Sequence, residues 1–326
     1  MRFRTLGKTG IQVSEIGYGA WGIGQKQWLG GTDEESLNAL RRSFELGLNF
    51  IDTALAYGDG HSEKLVGGVI REATGKIAVA SKIPPKNRIW PAKAGTGIDE
   101  VYPYEYSIAC TEESLRNLGV ETIDLQQFHV WNPEWLASDE WKRAIEDLKK
   151  SGKVRYMGIS INDHQPDSAL EIVKTGLIDT VQVIYNVFDQ TPENNLFPLC
   201  LEHNVGVLAR VPLDEGSLAG AITEETVFEH SDFRSFYFRQ DRKKQVVDHI
   251  TALRADLATL PTAGKNTLAE TALRFVLSHP AVSATIPGMR RNSTVESSCG
   301  VSDQGALDAE TMAVLRRHAW NKNFYQ

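Results

Sequence analysis

Short β-branched and aliphatic runs alternate along the chain with longer segments whose apolar positions recur every three or four residues. VSEIGYG, NFIDTA, KIAVASKI, IDLQQFHV, VRYMGIS, TVQVIYNV, VGVLARV and VSATIPG read as strands. After the first, Leu37, Leu40 and Phe44 share one helical face. That helix opens at the capping pattern Thr32-Asp33-Glu34-Glu35 and closes at Gly47. Helical segments follow the other strands: YSIACTEESLRNLGV, WKRAIEDLKKSGKV, PDSALEIVKTG, LFPLCLEHNV and TLAETALRFVLSHP, with DAETMAVLRRHA last. Such alternation predicts an α/β protein with parallel strands covered by helices. Eight units in 326 residues suit a (β/α)8 TIM barrel better than an open doubly wound sheet. MRFRTLGKTGIQ precedes the first strand and reads as a β-hairpin turning at Gly7-Lys8-Thr9-Gly10, placed to plug the barrel bottom. No linker or repeat interrupts residues 1–326, so one domain is expected.

The end of the first strand, Gly17-Tyr18-Gly19-Ala20-Trp21-Gly22, matches the G-x-G-x-x-G dinucleotide fingerprint letter for letter. That fingerprint requires a helix to start at once, so that its N-terminus can hold a pyrophosphate. Here the first helix start is delayed to Thr32, and the next strand's acid, Asp52, lies too far on. The glycines therefore mark a place where backbone comes close to something else.

Three post-strand segments exceed simple connections: residues 84–104, 131–140 and 212–242. All fall on the C-terminal face, where barrels carry their chemistry. Polar residues at strand ends converge on the same mouth: Asp52, then Tyr57 in DTALAYGDG, Lys82 in VASKI and His129 in QQFHV. A phenol is too weak an acid for carbonyl protonation at neutral pH unless a nearby cation stabilises its anion. A buried lysine supplies that cation only if a carboxylate pairs with it, and a histidine can orient the carbonyl. The set suits proton delivery to an oxygen while a hydride reaches the adjacent carbon.

Net charge of −7 and a pI near 5.7 argue against nucleic acid as a partner. Cys110, Cys200 and Cys299 are isolated, which suits reduced thiols, and no His/Asp/Glu cluster suggests a metal. No apolar run has signal-peptide or membrane-span character, so a cytoplasmic location without membrane association is expected.

These motifs resemble the aldo-keto reductase family over nearly the whole chain. RTLGKTGIQVSEIGYGAWGIG, LGLNFIDTALAYGDGHSEKLVGGVI, SLRNLGVETIDLQQFHVWN, SGKVRYMGIS, VQVIYN and TIPGMRR occur in the family's order. The resemblance implies a barrel that binds NADPH/NADP+, less readily NAD, in extended form. It implies Tyr57 as general acid, Lys82 and Asp52 as the pair that tunes it, and His129 as orienter. Gly19 and Ala20 would admit the nicotinamide end, with Trp21 beside it. Gln182, Ser160 and Asn162 would hold the carboxamide, and Arg210 occupies the position of a ring-stacking aromatic. Pro212, Leu213, Gly216 and Leu218 would lie beneath the pyrophosphate; Gly288, Met289, Arg290 and Thr294 would hold the adenosine end. Trp21, Trp90 and Trp131, with Tyr57, would wall a pocket for a small carbonyl or sugar substrate. The resemblance implies reduction of aldehydes or ketones, with a sugar dehydrogenase or a non-enzymatic NADPH-binding subunit as alternatives.

Overall fold

The computed structural model describes residues Met1–Gln326. A hairpin of β1 (Phe3–Thr5) and β2 (Gln12–Ser14) comes first, pairing Phe3 with Ser14. Its turn is a 3-10 segment, Gly7–Thr9, closed by Gly10 in the left-handed region. Eight parallel strands then neighbour one another in chain order: β3 (Tyr18–Gly19), β4 (Phe50–Asp52), β5 (Ala78–Ile83), β6 (Ile123–Phe128), β7 (Val154–Ser160), β8 (Thr180–Ile184), β9 (Gly206–Arg210) and β10 (Val282–Thr285). Parallel bridges Ile16–Thr285 and Gly19–Gly288 join the two ends and close the barrel.

The covering helices, in chain order, are α1 (Asp33–Glu45), α2 (His61–Ile70), α3 (Ile98–Val101), α4 (Tyr104–Leu118), α5 (Glu140–Lys150), α6 (Leu170–Thr175), α7 (Leu196–Glu202), α8 (Phe233–Tyr237), α9 (Arg242–Ala258), α10 (Leu268–Leu277), α11 (Asn292–Gln304) and α12 (Ala309–Arg316). Helix α1 starts at a reciprocal capping box between Thr32 and Glu35, and α10 at another between Thr267 and Glu270. The main apolar core lies between strands and helices.

A second, smaller core fills the lower barrel. It joins Leu6 and Val13 of the hairpin segment to Phe50, Ala80, Leu125 and Leu208 of the strands. The hairpin therefore plugs the barrel bottom. Side chains alternate along a strand, so residues two apart share a face. On the inward face Phe50 is followed by Asp52, Ala80 by Lys82, Leu125 by Gln127 and Leu208 by Arg210. The barrel interior thus changes from apolar to polar along each of these strands, and the polar layer is the floor of the C-terminal mouth.

Candidate active site

Strand register builds the centre of the site. Gly19 lies beside Asp52, Lys82 beside Gln127, and Ser160 beside Gln182. Lys82, fully buried, makes three hydrogen bonds through Nζ: to Asp52 Oδ2 at 2.6 Å, the Thr53 carbonyl at 2.9 Å and the Tyr57 hydroxyl oxygen at 3.2 Å. An ammonium has three donors, and all are used. Because the Tyr57 oxygen accepts from Lys82, its own proton is left for another acceptor. Asp52 Oδ1 accepts from Gln182 Nε2 at 2.7 Å and from Gln127 Nε2 at 3.3 Å. Removing either member of the buried Lys82–Asp52 pair would strand the other charge, at a cost of about 3–5 kcal/mol.

Burial alone would depress the Lys82 ammonium, but Asp52 and Tyr57 outweigh it and hold its pKa above the ordinary lysine value. Burial pushes the Tyr57 phenol above its usual value, against the opposing pull of Lys82. Tyr57 is therefore a protonated acid at neutral pH. Burial, then Lys82 and Arg210, hold His129 well below 6.5, so its imidazole is neutral. The His129 ring meets Tyr57 edge-on at 5.7 Å, and its buried Nδ1 has no partner. A neutral imidazole fits a hydrogen-bonding orienter better than a proton source.

Loops from both sides frame the mouth. The Trp21 ring stands 6.4 Å from Tyr57, 5.3 Å from Trp28 and 5.1 Å from Phe233. Trp90 is 43% exposed and meets His129 edge-on at 5.9 Å. In the GYGAWG stretch Ala20 is fully buried and Gly19 half-buried, and both are held by close backbone contacts within the barrel. A Cβ on Gly19 would lie 2.5 Å from the Ile286 carbonyl, at the seam where β3 meets the last strand. The Gly19 and Ala20 amides are bonded to Pro287 and Asp52. A Cβ on Gly24 would lie 2.8 Å from the Tyr57 backbone, so that glycine seats the turn carrying the phenol.

Other expected residues divide. Ser160 and Gln182 are side by side at the floor. Asn162 is not free for a ligand: its amide bonds Ala92 in both directions, each at 3.2 Å, and so fastens the segment carrying Trp90. Trp131 does not line the mouth. It is 1% exposed and packs edge-on against Trp135 and Trp141 in the core between strands and helices, beyond the end of β6 at Phe128. Met289 and Leu218 also point into that core, so only their backbone could meet a ligand. Pro212, Leu213 and Gly216 lie in the turn after β9. Arg210 is paired: Nη2 donates to Asp163 Oδ1 at 2.7 Å and to the Ile161 carbonyl at 3.1 Å.

Sequence reasoning missed Gln127, Asp163, Trp28 and Phe233. Gln127 had a signal, since it sits midway between inward Leu125 and His129. Arg234 and Arg239, other cations of the loop after β9, are engaged by Asp232 and by the Gln326 backbone oxygen.

The residues after β10 fit an anionic ligand. Arg290 is half-buried and Arg291 exposed, and neither has a carboxylate partner. Arg290 spends one donor on the Leu29 carbonyl at 2.7 Å. Burial and then Arg234 and Arg291 lower its pKa, against a smaller opposing pull from Asp232. Helix α11 begins at Asn292, and Arg291 before it provides no side-chain cap; Gly288 is exposed ahead of it and Thr294 lies in its first turn. A phosphate is suited to such a place.

A closed barrel with a buried Lys–Asp pair under a tyrosine suits an oxidoreductase of carbonyl and alcohol groups. The model of the aldo/keto reductase family matches residues 15–319, and the chain belongs to that family. It is 30% identical over 306 residues to the aldo-keto reductase YhdN of Bacillus subtilis, covering 91% of this chain and 87% of that protein. It is 28% identical over 326 residues to the NADH-specific methylglyoxal reductase of Escherichia coli, covering 94% and 97%. The solved glycerol dehydrogenase AKR11B4 of Gluconobacter oxydans superposes with a TM-score of 0.78 at 28% identity, covering 98% and 97%. The family binds nicotinamide cofactors. No helix is long and apolar enough to cross a membrane.

Proposed function

We propose that this protein reduces small aldehydes or ketones with NADPH in preference to NADH, using Tyr57 as general acid. The observation that carries this reading is the Lys82 ammonium, which donates to the Tyr57 oxygen and leaves the phenolic proton uncommitted. When bound, the dinucleotide supplies the hydride that adds to the carbonyl carbon. Tyr57 gives its proton to the carbonyl oxygen, and Lys82 stabilises the phenolate left behind. Asp52 keeps Lys82 charged, while neutral His129 hydrogen-bonds the carbonyl in the mouth. Proton transfer from a positioned group contributes about 10²–10⁴-fold.

Gln182 and Ser160 would hold the carboxamide, with Arg210 beside the ring. Residues 212–218 would cradle the diphosphate. The unpaired Arg290 and Arg291 favour a 2′-phosphate and hence NADPH. The relatives' substrates, methylglyoxal and glycerol, favour a small oxygenated compound here as well. The test is oxidation of NADPH and of NADH with methylglyoxal, glyceraldehyde and benzaldehyde. Turnover should occur with at least one carbonyl and be faster with NADPH. Tight NADPH binding without turnover of any of them would make the protein a binding subunit instead.

A further inference from the structure

Segment 320–326 packs against the loop after β9 through side chains outside the catalytic group. The Lys322 side chain is 4% exposed, and Nζ donates to both Asp214 carboxylate oxygens at 2.7 and 2.9 Å and to the Tyr237 hydroxyl at 2.8 Å. The Phe324 ring lies 4.4 Å from the same ammonium. The Tyr325 hydroxyl donates to Glu215 Oε1 at 2.6 Å, and its ring packs on Tyr237 at 5.0 Å.

Asp214 and Glu215 belong to a loop whose backbone is unusual. Val211, Asp214 and Glu215 have φ of 54°, 49° and 54°, in the left-handed region that disfavours residues with a Cβ. For Val211, which is β-branched, the conformation is costlier still. Such backbone persists only where its surroundings over-determine it. The surroundings are Asn186, which donates Nδ2 to the Val211 carbonyl at 3.0 Å, and the two side chains from segment 320–326. The loop also carries two adjacent carboxyl groups, which would repel an anion if left bare. Lys322 neutralises one. Tyr325 fastens the other by donating to it, while burial pushes its pKa up to about 7.

We propose that Lys322 and Tyr325 are positioning residues for the dinucleotide. Both hold the loop after β9 in its left-handed shape, and Lys322 neutralises Asp214, so that the loop can receive a diphosphate, a role that rests on the proposed use of this loop as the diphosphate cradle. Neither side chain contacts Tyr57, so their effect falls on cofactor affinity and spares the chemical step.

The test is NADPH affinity of the full chain by fluorescence titration in wild type, Lys322→Met, Lys322→Arg and Tyr325→Phe. Steady-state kinetics and thermal unfolding without cofactor accompany it. Lys322→Met should weaken NADPH binding by about tenfold or more, within the range usual for coupling between sites. KM for NADPH should rise with it, while kcat at saturating NADPH and KM for the carbonyl stay near wild type. Lys322→Arg should recover most of the loss, and Tyr325→Phe should show a smaller loss. Unchanged NADPH affinity in Lys322→Met overturns the proposal. If that variant fails to fold, Tyr325→Phe decides: a loss supports the proposal and unchanged affinity overturns it. A wild type that binds no NADPH overturns the cradle itself, and the positioning role with it.

Discussion

Arg210 and Asp163 form an ion pair at 2.7 Å, with each side chain 18% exposed. A guanidinium alone beside a nicotinamide ring would favour the neutral reduced form over the cationic oxidised one. Asp163 offsets that charge, so the wild type should discriminate weakly between the two. Asp163→Asn uncovers the cation and should weaken NADP+ relative to NADPH by about 1–3 kcal/mol. Paired fluorescence titrations of the two redox states, at one ionic strength, read this directly. An unchanged affinity ratio would place Arg210 away from the ring.

Arg290 has no carboxylate partner and should meet the 2′-phosphate. Arg290→Ala should weaken NADPH by about 1.5–3 kcal/mol, the scale of a charged hydrogen bond, and leave NADH nearly unaffected. Equal losses with both cofactors, in parallel binding measurements, would move Arg290 to the shared diphosphate.

Glu215 should make stability fall with rising pH. Its folded-state pKa is raised from 4.5 to about 7 by burial, so the native state keeps a proton that the unfolded chain releases. The contribution is fully present below 4.5 and is lost as pH rises to about 7. Its size is on the order of 3 kcal/mol. Glu215→Gln should remove this component from the pH dependence of urea unfolding. Identical pH dependences in the two proteins would show that Glu215 ionises normally.

The catalytic pH profile should be set by the phenol. Tyr57 lies above its ordinary value of 10.0 and His129 well below 6.5, so neither titrates near neutrality. With cofactor saturating, kcat for reduction should be level from about pH 6 to pH 9 and fall as Tyr57 ionises. An inflection near 6.5 that vanishes in His129→Gln would make the imidazolium the acid.

The site was legible where strand alternation applies and hidden where it ends. Asp52, Lys82 and His129 stand at or just beyond strand ends, and the polar layer follows from the inward period of two. Trp131, two residues beyond His129, looked equivalent, but the strand had already stopped at Phe128 and the alternation no longer held. The barrel, its hairpin and most helices followed from periodicity. Helix α2 was obscured by Gly67-Gly68; Gly67 is there because a Cβ would lie 2.4 Å from the Leu118 carbonyl of α4. Helix α9 buries only Val246, Ile250 and Leu253 along its 17 residues, too sparse a face to stand out. Phe233 reaches the mouth by tertiary packing, for which its segment carries no local signal.

The most direct test of Tyr57 as the acid is a single-turnover measurement of hydride transfer from bound NADPH to methylglyoxal, in wild type and Tyr57→Phe. The phenylalanine keeps the ring against Trp21 and His129 and removes only the hydroxyl that Lys82 bonds. NADPH affinity should stay near wild type, and the transfer rate should fall by about two or more decades. A near-normal rate in Tyr57→Phe, with NADPH bound as in wild type, would contradict the assignment of Tyr57 as the proton donor.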